Sequence, residues 1–331
     1  MNTRRITARM RSGKKVILPA WELDGSADGP RLLVLAAQHG NEVQGSEAIR
    51  QFVDIAARGK LDGKVFAVPF ANLPAIRERR PHIQMRPEQA YGDDRGHNMN
   101  RTWPGNPRGN DTARLSSAIY RAFGDRATHC LDFHCWEKHG APALLMREAP
   151  GLRATVRNIG HRFVRVSEGR NTTLADHFCS TGRVGFTYEF SGQYIVDREQ
   201  VRLGLRVLTN FAKLIGLIPG PLEKGHSPVL FSDQTESKDV VAPCSGLFVP
   251  ADRQLCQHVS KKEVLGHILS DVTLQRREIE APHAGYLRAF GARRAKADVA
   301  VTGHHPYVSR GECLATIVWA KTMDPSRTRE G

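Results

Sequence analysis

Six apolar residues, Leu32-Leu33-Val34-Leu35-Ala36-Ala37, run straight into Gln38-His39-Gly40-Asn41-Glu42, and this junction constrains the fold more than any other stretch. A short, unbroken apolar run bounded by turn residues reads as a strand buried on both faces, which is the habit of a parallel sheet. Downstream, Ala48, Ile49, Phe52, Val53 and Ala56 recur at helical spacing, with Ser46 as the expected N-cap and Gly59 as the stop. Lys64-Val65-Phe66-Ala67-Val68-Pro69 then gives a second buried strand. Strand, helix and strand in this order predict a right-handed parallel unit. His39 and Glu42 fall in the turn beyond the carboxyl end of the first strand, where open α/β sheets place their ligands. An imidazole and a carboxylate three residues apart can face one point, and together they suit Zn²⁺.

The remaining elements extend the same pattern. An opening strand is expected at Lys15–Ala20. Residues 72–110 form a long segment rich in Pro, Gly, Arg and Asn, and a loop of that length in a compact domain is read as functional. A helix is expected from Thr112 to Phe123 and a strand over 129–133 that ends in His134. A further strand is expected at Leu144-Leu145-Met146, helical stretches near 150–163 and 172–178, and a strand over 185–190 carrying Glu189. Val201, Leu205, Leu208 and Phe211 mark a last helix, which Ile218-Pro219-Gly220-Pro221 stops.

Ordered along the chain are His39-Gly40-Asn41-Glu42, then Asn98-Met99-Asn100-Arg101-Thr102-Trp103-Pro104-Gly105, then Asp132-Phe133-His134, then the strand-borne Glu189. This set resembles the succinylglutamate desuccinylase/aspartoacylase family, a branch of the zinc carboxypeptidase-like amidohydrolases. The resemblance spans about residues 30 to 195, and the Asn-Arg motif is its most specific element. It implies a mixed, mostly parallel α/β sheet with helices on both faces. It also implies one Zn²⁺ per chain held by His39, Glu42 and His134, since a catalytic zinc takes three protein ligands and keeps one open position.

By the same resemblance Glu189 is the general base. A carboxylate on an otherwise apolar strand also carries a desolvation cost of several kcal/mol unless it has a task or a partner such as an arginine. Asn100 and Arg101 correspond to the family's clamp for the substrate carboxylate, a role the planar guanidinium fork suits. Trp103 stands where Phe is commoner in the family. The family's upstream oxyanion arginine maps less cleanly, because the stretch from Met85 to Arg95 is longer than usual. Arg86 is the first assignment and Arg95 the second. Asp132, on the same strand face as His134, is either a partner fixing the imidazole or an ordinary strand-end carboxylate.

The implied activity is hydrolysis of an N-acyl amino acid bearing a free carboxylate, with a metallocarboxypeptidase as the alternative, since the same constellation serves both.

The chain is 331 residues long, so two domains are expected: 1–222 catalytic and 223–320 a small all-β barrel or sandwich, with 321–331 a flexible tail. The C-terminal region echoes itself. Ala242-Pro243-Cys244-Ser245-Gly246 matches Ala281-Pro282-His283-Ala284-Gly285, and Val259-Ser260-Lys261-Lys262-Glu263 matches Val308-Ser309-Arg310-Gly311-Glu312. This pattern resembles the barrel appended to some family members and also biotinyl and lipoyl carriers. With no Met-Lys pair, the reading is a structural lid.

The formal net charge is +14, yet aromatic residues are only 7% and no basic stripe is interleaved with them, which argues against a nucleic-acid partner. No apolar run approaches a membrane span and the N-terminus lacks a signal-peptide core, so a cytoplasmic protein is expected. The six cysteines include no C-x-x-C pair and are read as reduced thiols. A homo-oligomer is allowed.

Overall fold

The computed structural model describes residues 2–26, 28–86, 89, 92, 94–148, 151–167, 173–232, 235–293 and 305–319. The chain divides into two compact units, Met1–Trp136 with Pro142–Pro228, and Glu137–Ala141 with Val229–Gly331.

The first unit runs β1 (Asn2–Arg9), β2 (Lys15–Asp24), β3 (Arg31–Ala36), α1 (Gln44–Arg58), β4 (Lys64–Val68), α2 (Leu73–Glu78), α3 (Asp111–Ile119), β5 (His129–Trp136), β6 (Ala143–Arg147), α4 (Leu152–Ile159), β7 (Phe163–Ser167), α5 (Leu174–Ser180), β8 (Val184–Ser191) and α6 (Arg198–Leu214). Its strands lie in the order β1-β2-β4-β3-β5-β8-β6-β7. The four central strands are parallel, whereas β1 and β2 form an antiparallel pair and β6 runs antiparallel to β8. This is the mixed, mostly parallel sheet that the sequence implied. From β3 the chain passes through α1 to β4 on one side and later returns to β5 on the other. The reversal opens a crevice at the carboxyl ends of β3 and β5.

Both faces of the sheet are covered. Leu33 and Leu35 of β3 share a core with Leu115 and Ile119 of α3 and with Leu174 and Phe178 of α5. On the other face, α1 seats so closely that a Cβ on Gly45 would stand 2.4 Å from the Phe133 Cβ and 2.9 Å from that of Ala36. A Cβ on Gly204 of α6 would likewise meet the Phe190 ring at 2.4 Å.

Several local expectations need correction. Ser46 is not the N-cap of α1. The helix starts at Gln44 with Val43 as cap residue and no side-chain cap bond, while the Ser46 hydroxyl donates to the Pro69 carbonyl at 2.6 Å, tying α1 to the end of β4. Among its described residues, segment 72–110 carries two short helices: α2, capped by the Asn72 side chain, and a 3-10 turn at Met99–Arg101, capped by Asn98. The expected helix over 112–123 is α3 followed by a π turn at Tyr120–Gly124. The stretch expected as helix over 150–163 carries α4 and then gives way to β7. Strand β1 has no apolar run to reveal it: Ile6 and Ala8 are buried, but Arg4 occupies the same face as they do, and Arg5 and Arg9 the opposite one.

The second unit begins with β9 (Val229–Phe231) and continues through β10 (Ser237–Val241), β11 (Gly246–Pro250), β12 (His258–Val259), β13 (Val264–Ser270), β14 (Arg276–Glu280), β15 (Gly285–Arg293), β16 (Tyr307–Val308) and β17 (Cys313–Val318). Strands β10-β17-β15-β12 and β14-β13-β11-β16 form two antiparallel sheets around a core containing Phe248, Leu265, Leu287 and Ile317. The sequence echo has a structural counterpart. The Ser260 N–H donates to Glu263 Oε2 at 2.7 Å, and the Ser309 N–H donates to Glu312 Oε2 at 2.8 Å, so both turns close by the same bond. The tail from 321 lies outside the described residues. No helix among the described residues is long and apolar enough to cross a membrane.

Gly40 is where fold and site depend on one atom. A Cβ there would stand 2.3 Å from the Ala75 carbonyl carbon and 2.4 Å from the Arg80 carbonyl oxygen, both backbone. Gly40→Val is therefore expected to cost about 1–3 kcal/mol or more through overpacking and to shift the His39 turn. A lowered Tm together with weakened metal uptake checks this, and an unchanged Tm would show that the 75–80 backbone yields.

Candidate metal centre

The turn after β3 is held by backbone strain and by cross-bonds. Ala37 sits in the left-handed region at φ 58°, a conformation an alanine adopts only where its surroundings enforce it. The Ala71 and Asn72 N–H groups donate to the Ala36 and Ala37 carbonyls, both at 3.0 Å, and the Asn72 side chain donates to the Gln38 carbonyl at 3.0 Å. With the turn pinned, His39 and Glu42 face inward and are 7% and 3% exposed.

Strand β5 brings His134 to the same point, 2% exposed. His39, Glu42 and His134 each offer a ligand atom, and these atoms all lie within 4.8 Å of one another. Glu42 Oε1 is 3.0 Å from His39 Nδ1, and Glu42 Oε2 is 2.9 Å from His134 Nδ1. The far ring nitrogens are engaged elsewhere: His39 Nε2 is 3.1 Å from Asn98 Oδ1 and His134 Nε2 is 2.9 Å from Asp132 Oδ2. Metal-binding histidines are commonly oriented this way, with one nitrogen facing the ion and the other bonded to an oxygen that fixes the ring. Two imidazoles and a carboxylate are also a donor set that a divalent transition metal accepts. The residues present therefore fit a metal ion.

Behind the three donors lies a chain of buried polar groups. Gln38 Nε2 donates to Asp132 Oδ2 at 2.6 Å, and Gln38 Oε1 accepts from the Trp103 indole at 2.7 Å. Gln193 Nε2 donates to Glu42 Oε1 at 3.2 Å, and the Cys135 N–H donates to Glu42 Oε2 at 3.0 Å. Sequence reasoning assigned no role to Gln38, Gln193 or Asn98. For Gln38 a signal existed, because a glutamine that directly follows a fully buried strand must find partners inside the protein.

Glu189 reaches the site through strand register. In the parallel β5–β8 pair His134 stands opposite Glu189, so both project from the same level of neighbouring strands. Burial pushes the Glu189 carboxyl up to about 8; His134 pulls it back and Glu42 adds to the rise. Burial would likewise raise Glu42, but the His39 and His134 imidazoles outweigh it and hold that carboxyl well below its ordinary range. Three carboxylates, Glu42, Asp132 and Glu189, thus surround one imidazole, an arrangement that positive charge stabilises.

The other expected residues lie on the 72–110 segment. Asn100 is buried; its Oδ1 accepts from the Leu174 N–H at 3.4 Å and stands 3.5 Å from Gln38 Nε2. Arg101 is exposed and anchors to the Asn100 carbonyl at 2.9 Å. Arg86 and Arg95 are both exposed and line one cavity of about 240 Å³ together with His82. The His82 ring in turn meets His39 edge-on with centroids 5.3 Å apart. Trp103 does more than fill the place of a phenylalanine, since its indole N–H is the anchor for Gln38.

The model of the succinylglutamate desuccinylase/aspartoacylase catalytic domain matches residues 28–215, which include every one of these side chains. The chain belongs to this family. Over 226 residues it is 28% identical to an N-alpha-acetyl-L-2,4-diaminobutyric acid deacetylase of Halomonas elongata, a match covering 63% of this chain and 62% of that protein. Among solved structures, a succinylglutamate desuccinylase/aspartoacylase from Rhodobacter sphaeroides superposes with a TM-score of 0.69 at 22% identity, covering 96% of this chain and 94% of that one. A product-bound ectoine utilization protein from Ruegeria pomeroyi gives 0.69 at 20% identity with the same coverage. At these identities the structures establish a common fold, second unit included. The family consists of deacylases acting on N-acyl amino acids, and the His39-Glu42-His134 group is where a metal ion can sit in this member.

Proposed function

We propose that the chain is a zinc-dependent amidohydrolase that removes the acyl group from an N-acyl amino acid with a free carboxylate. The observation that carries this reading is the placement of Glu189 in register with His134, beside a converging His-Glu-His donor set. Zinc bound by His39, Glu42 and His134 would supply Lewis acidity at the acyl carbonyl and ease deprotonation of the attacking water.

The chain's own residues do the rest. Asp132 and Asn98 hold the two imidazoles in the orientation that presents Nδ1. Glu189 takes a proton from the water and delivers it to the leaving amine nitrogen; its apolar strand environment keeps its proton affinity high enough for both transfers. Asn100 spends its Oδ1 on Leu174 and so has its Nδ2 donors for a substrate carboxylate, with the Arg101 guanidinium beside it. Arg86 is assigned to the charge that develops on the acyl oxygen, with Arg95, which lines the same cavity, as the alternative. The Halomonas deacetylase supports a small acyl group on an amino acid, acetyl first among them.

The test is release of free amino acid from a panel of N-acetyl, N-succinyl and longer N-acyl amino acids, with and without chelator, alongside metal analysis. One zinc per chain and chelator-sensitive turnover are expected. Peptide trimming without acyl-amino-acid turnover would instead mean a carboxypeptidase, and a chain that binds no metal would end the proposal.

Within the same reading, Arg101→Ala should raise KM by about tenfold to a hundredfold, the worth of a charge-assisted pair, while kcat changes little. Substrates whose carboxylate is capped as an amide should lose this sensitivity. Arg86→Ala should instead lower kcat by about a hundredfold, and if Arg95→Ala does so in its place, Arg95 is the oxyanion residue.

A further inference from the structure

Away from the metal centre, the first unit contains a second and larger concavity of about 970 Å³, at the upper end of ordinary ligand pockets, which run to roughly 1,000 Å³. It lies between the outer face of the β1–β2 hairpin and α2. None of His39, Glu42, Asn100, Arg101, His134 or Glu189 lines it.

Its chemistry is divided. The walls are apolar: Ile17, Phe70, Leu73 and Ile83 among them, with Ile17 39% and Phe70 36% exposed. Large side chains of this kind left open to water inside a concavity mark a binding surface more than a packing defect. The rim carries four cations, Arg5, Lys14, Lys15 and Arg77, all exposed and none in a salt bridge among the described residues. Two carboxylates also border it. Asp111 is occupied, one oxygen by the Arg11 N–H at 2.6 Å and the other by Gln84 at 3.2 Å, which leaves Glu78 as the only carboxylate of the lining not held by such bonds. Elsewhere on this surface arginines pair readily with acids, as Arg50 does with Glu47 and Asp54 and Arg4 does with Glu22. A ring of unpaired cations around an apolar trough is complementary to one ligand chemistry: a single anionic head on a hydrocarbon chain.

We propose that this groove binds a free, medium-chain carboxylate, its chain against Ile17, Phe70 and Leu73 and its head among Lys14, Lys15 and Arg77. The groove shares its Ile83–Gln84 wall with the small cavity lined by Arg86 and Arg95. The site is nevertheless independent of the catalytic proposal and stands or falls on binding alone.

The experiment is calorimetric titration of the full chain with octanoate and decanoate, below their micellar concentrations and in excess chelator, so that no carboxylate can report on a metal. One site per chain is expected. Affinity should rise roughly tenfold from octanoate to decanoate, the effect of two more buried methylenes. Lys15→Glu combined with Arg77→Glu should weaken decanoate at least tenfold, Phe70→Asp should do the same, and Arg202→Glu on α6 should change nothing. The double charge reversal lies on exposed positions, and an unchanged Tm verifies that it folds. Equal binding of decanoate and decanol would overturn the proposal, because the cations would then be unused. So would binding unaffected by the variants, or association with anionic phospholipid vesicles and no binding of decanoate.

Discussion

Replacing Glu189 with glutamine is expected to leave about one zinc per chain in place while lowering kcat by roughly a hundredfold to ten-thousandfold, the usual worth of a positioned general acid–base group. The amide keeps the size of the side chain and removes only its ability to carry a proton. Metal retained with activity lost assigns the residue to proton transfer; loss of both would make it part of the metal cradle. The same substitution should stabilise the metal-free protein, with a sign fixed by the raised pKa. The carboxyl titrates near 4.5 in an unfolded chain and at about 8 in the fold. Between these values the folded protein holds a proton that the unfolded chain has released. The parent is thus relatively most stable below about pH 4.5 and loses stability as the pH climbs toward 8, whereas glutamine does not titrate. In chelator, the stability advantage of Glu189→Gln, read as a higher Tm, should be small at pH 5 and largest at pH 8, where it is on the order of a few kcal/mol. An advantage that shrinks with rising pH would contradict the burial of this carboxylate. A carboxylate retained at such a cost to the metal-free fold is one kept for its chemistry.

How legible the molecule was in its sequence depended on whether a feature was local. Strand β3 and helix α1 were readable because apolar runs and 3.6-residue spacing are local signals, and the sheet follows from their alternation. His134 and Glu189 could be named, but their meeting depends on the β5–β8 register, which pairs residues 55 positions apart in the chain. Gln38 shows the limit. Two of its side-chain partners, Asp132 and Trp103, lie far along the chain in opposite structural contexts, a strand and a loop, and no spacing rule links them. Strand β1 failed for the converse reason: Asn2 and Arg4 share the face of Ile6 and Ala8, so the apolar alternation is only two residues long and too short to read. Ser46 failed because a good capping residue found a better partner in the Pro69 carbonyl, a tertiary contact overriding a local preference. The Met85–Arg95 insertion left two arginines in contention, and both prove to line the same cavity, so one-dimensional spacing had no means of separating them.

The second large effect is expected at His134. His134→Ala removes one of three donors and should reduce zinc affinity by more than a thousandfold, with activity falling below detection. The loss extends beyond one bond. Glu42 Oε2 and Asp132 Oδ2 both rest on this ring, at 2.9 Å each, and without it two buried carboxylates stand close together with no imidazole between them. Stripping one partner from a buried charged cluster costs about 3–5 kcal/mol, so the variant should also melt lower than the chelated parent. A graded series separates the ligand from its supports. Asp132→Asn keeps the ring and its Nδ1 but withdraws the charged acceptor behind Nε2, for which a tenfold to hundredfold loss in metal affinity is expected. Trp103→Phe is one step further out. It takes the indole N–H from Gln38 Oε1 and leaves Gln38 to hold Asp132 from an unanchored position, so its effect on zinc should be severalfold at most. Competition with a chromophoric chelator ranks the three directly. The order His134→Ala, then Asp132→Asn, then Trp103→Phe is what a donor backed by two layers of hydrogen bonds produces. If Asp132→Asn equalled His134→Ala, the carboxylate itself would be acting as a ligand. If it matched the parent, His134 would be held by sheet geometry alone, and the Gln38–Trp103 chain would serve packing and leave the metal untouched.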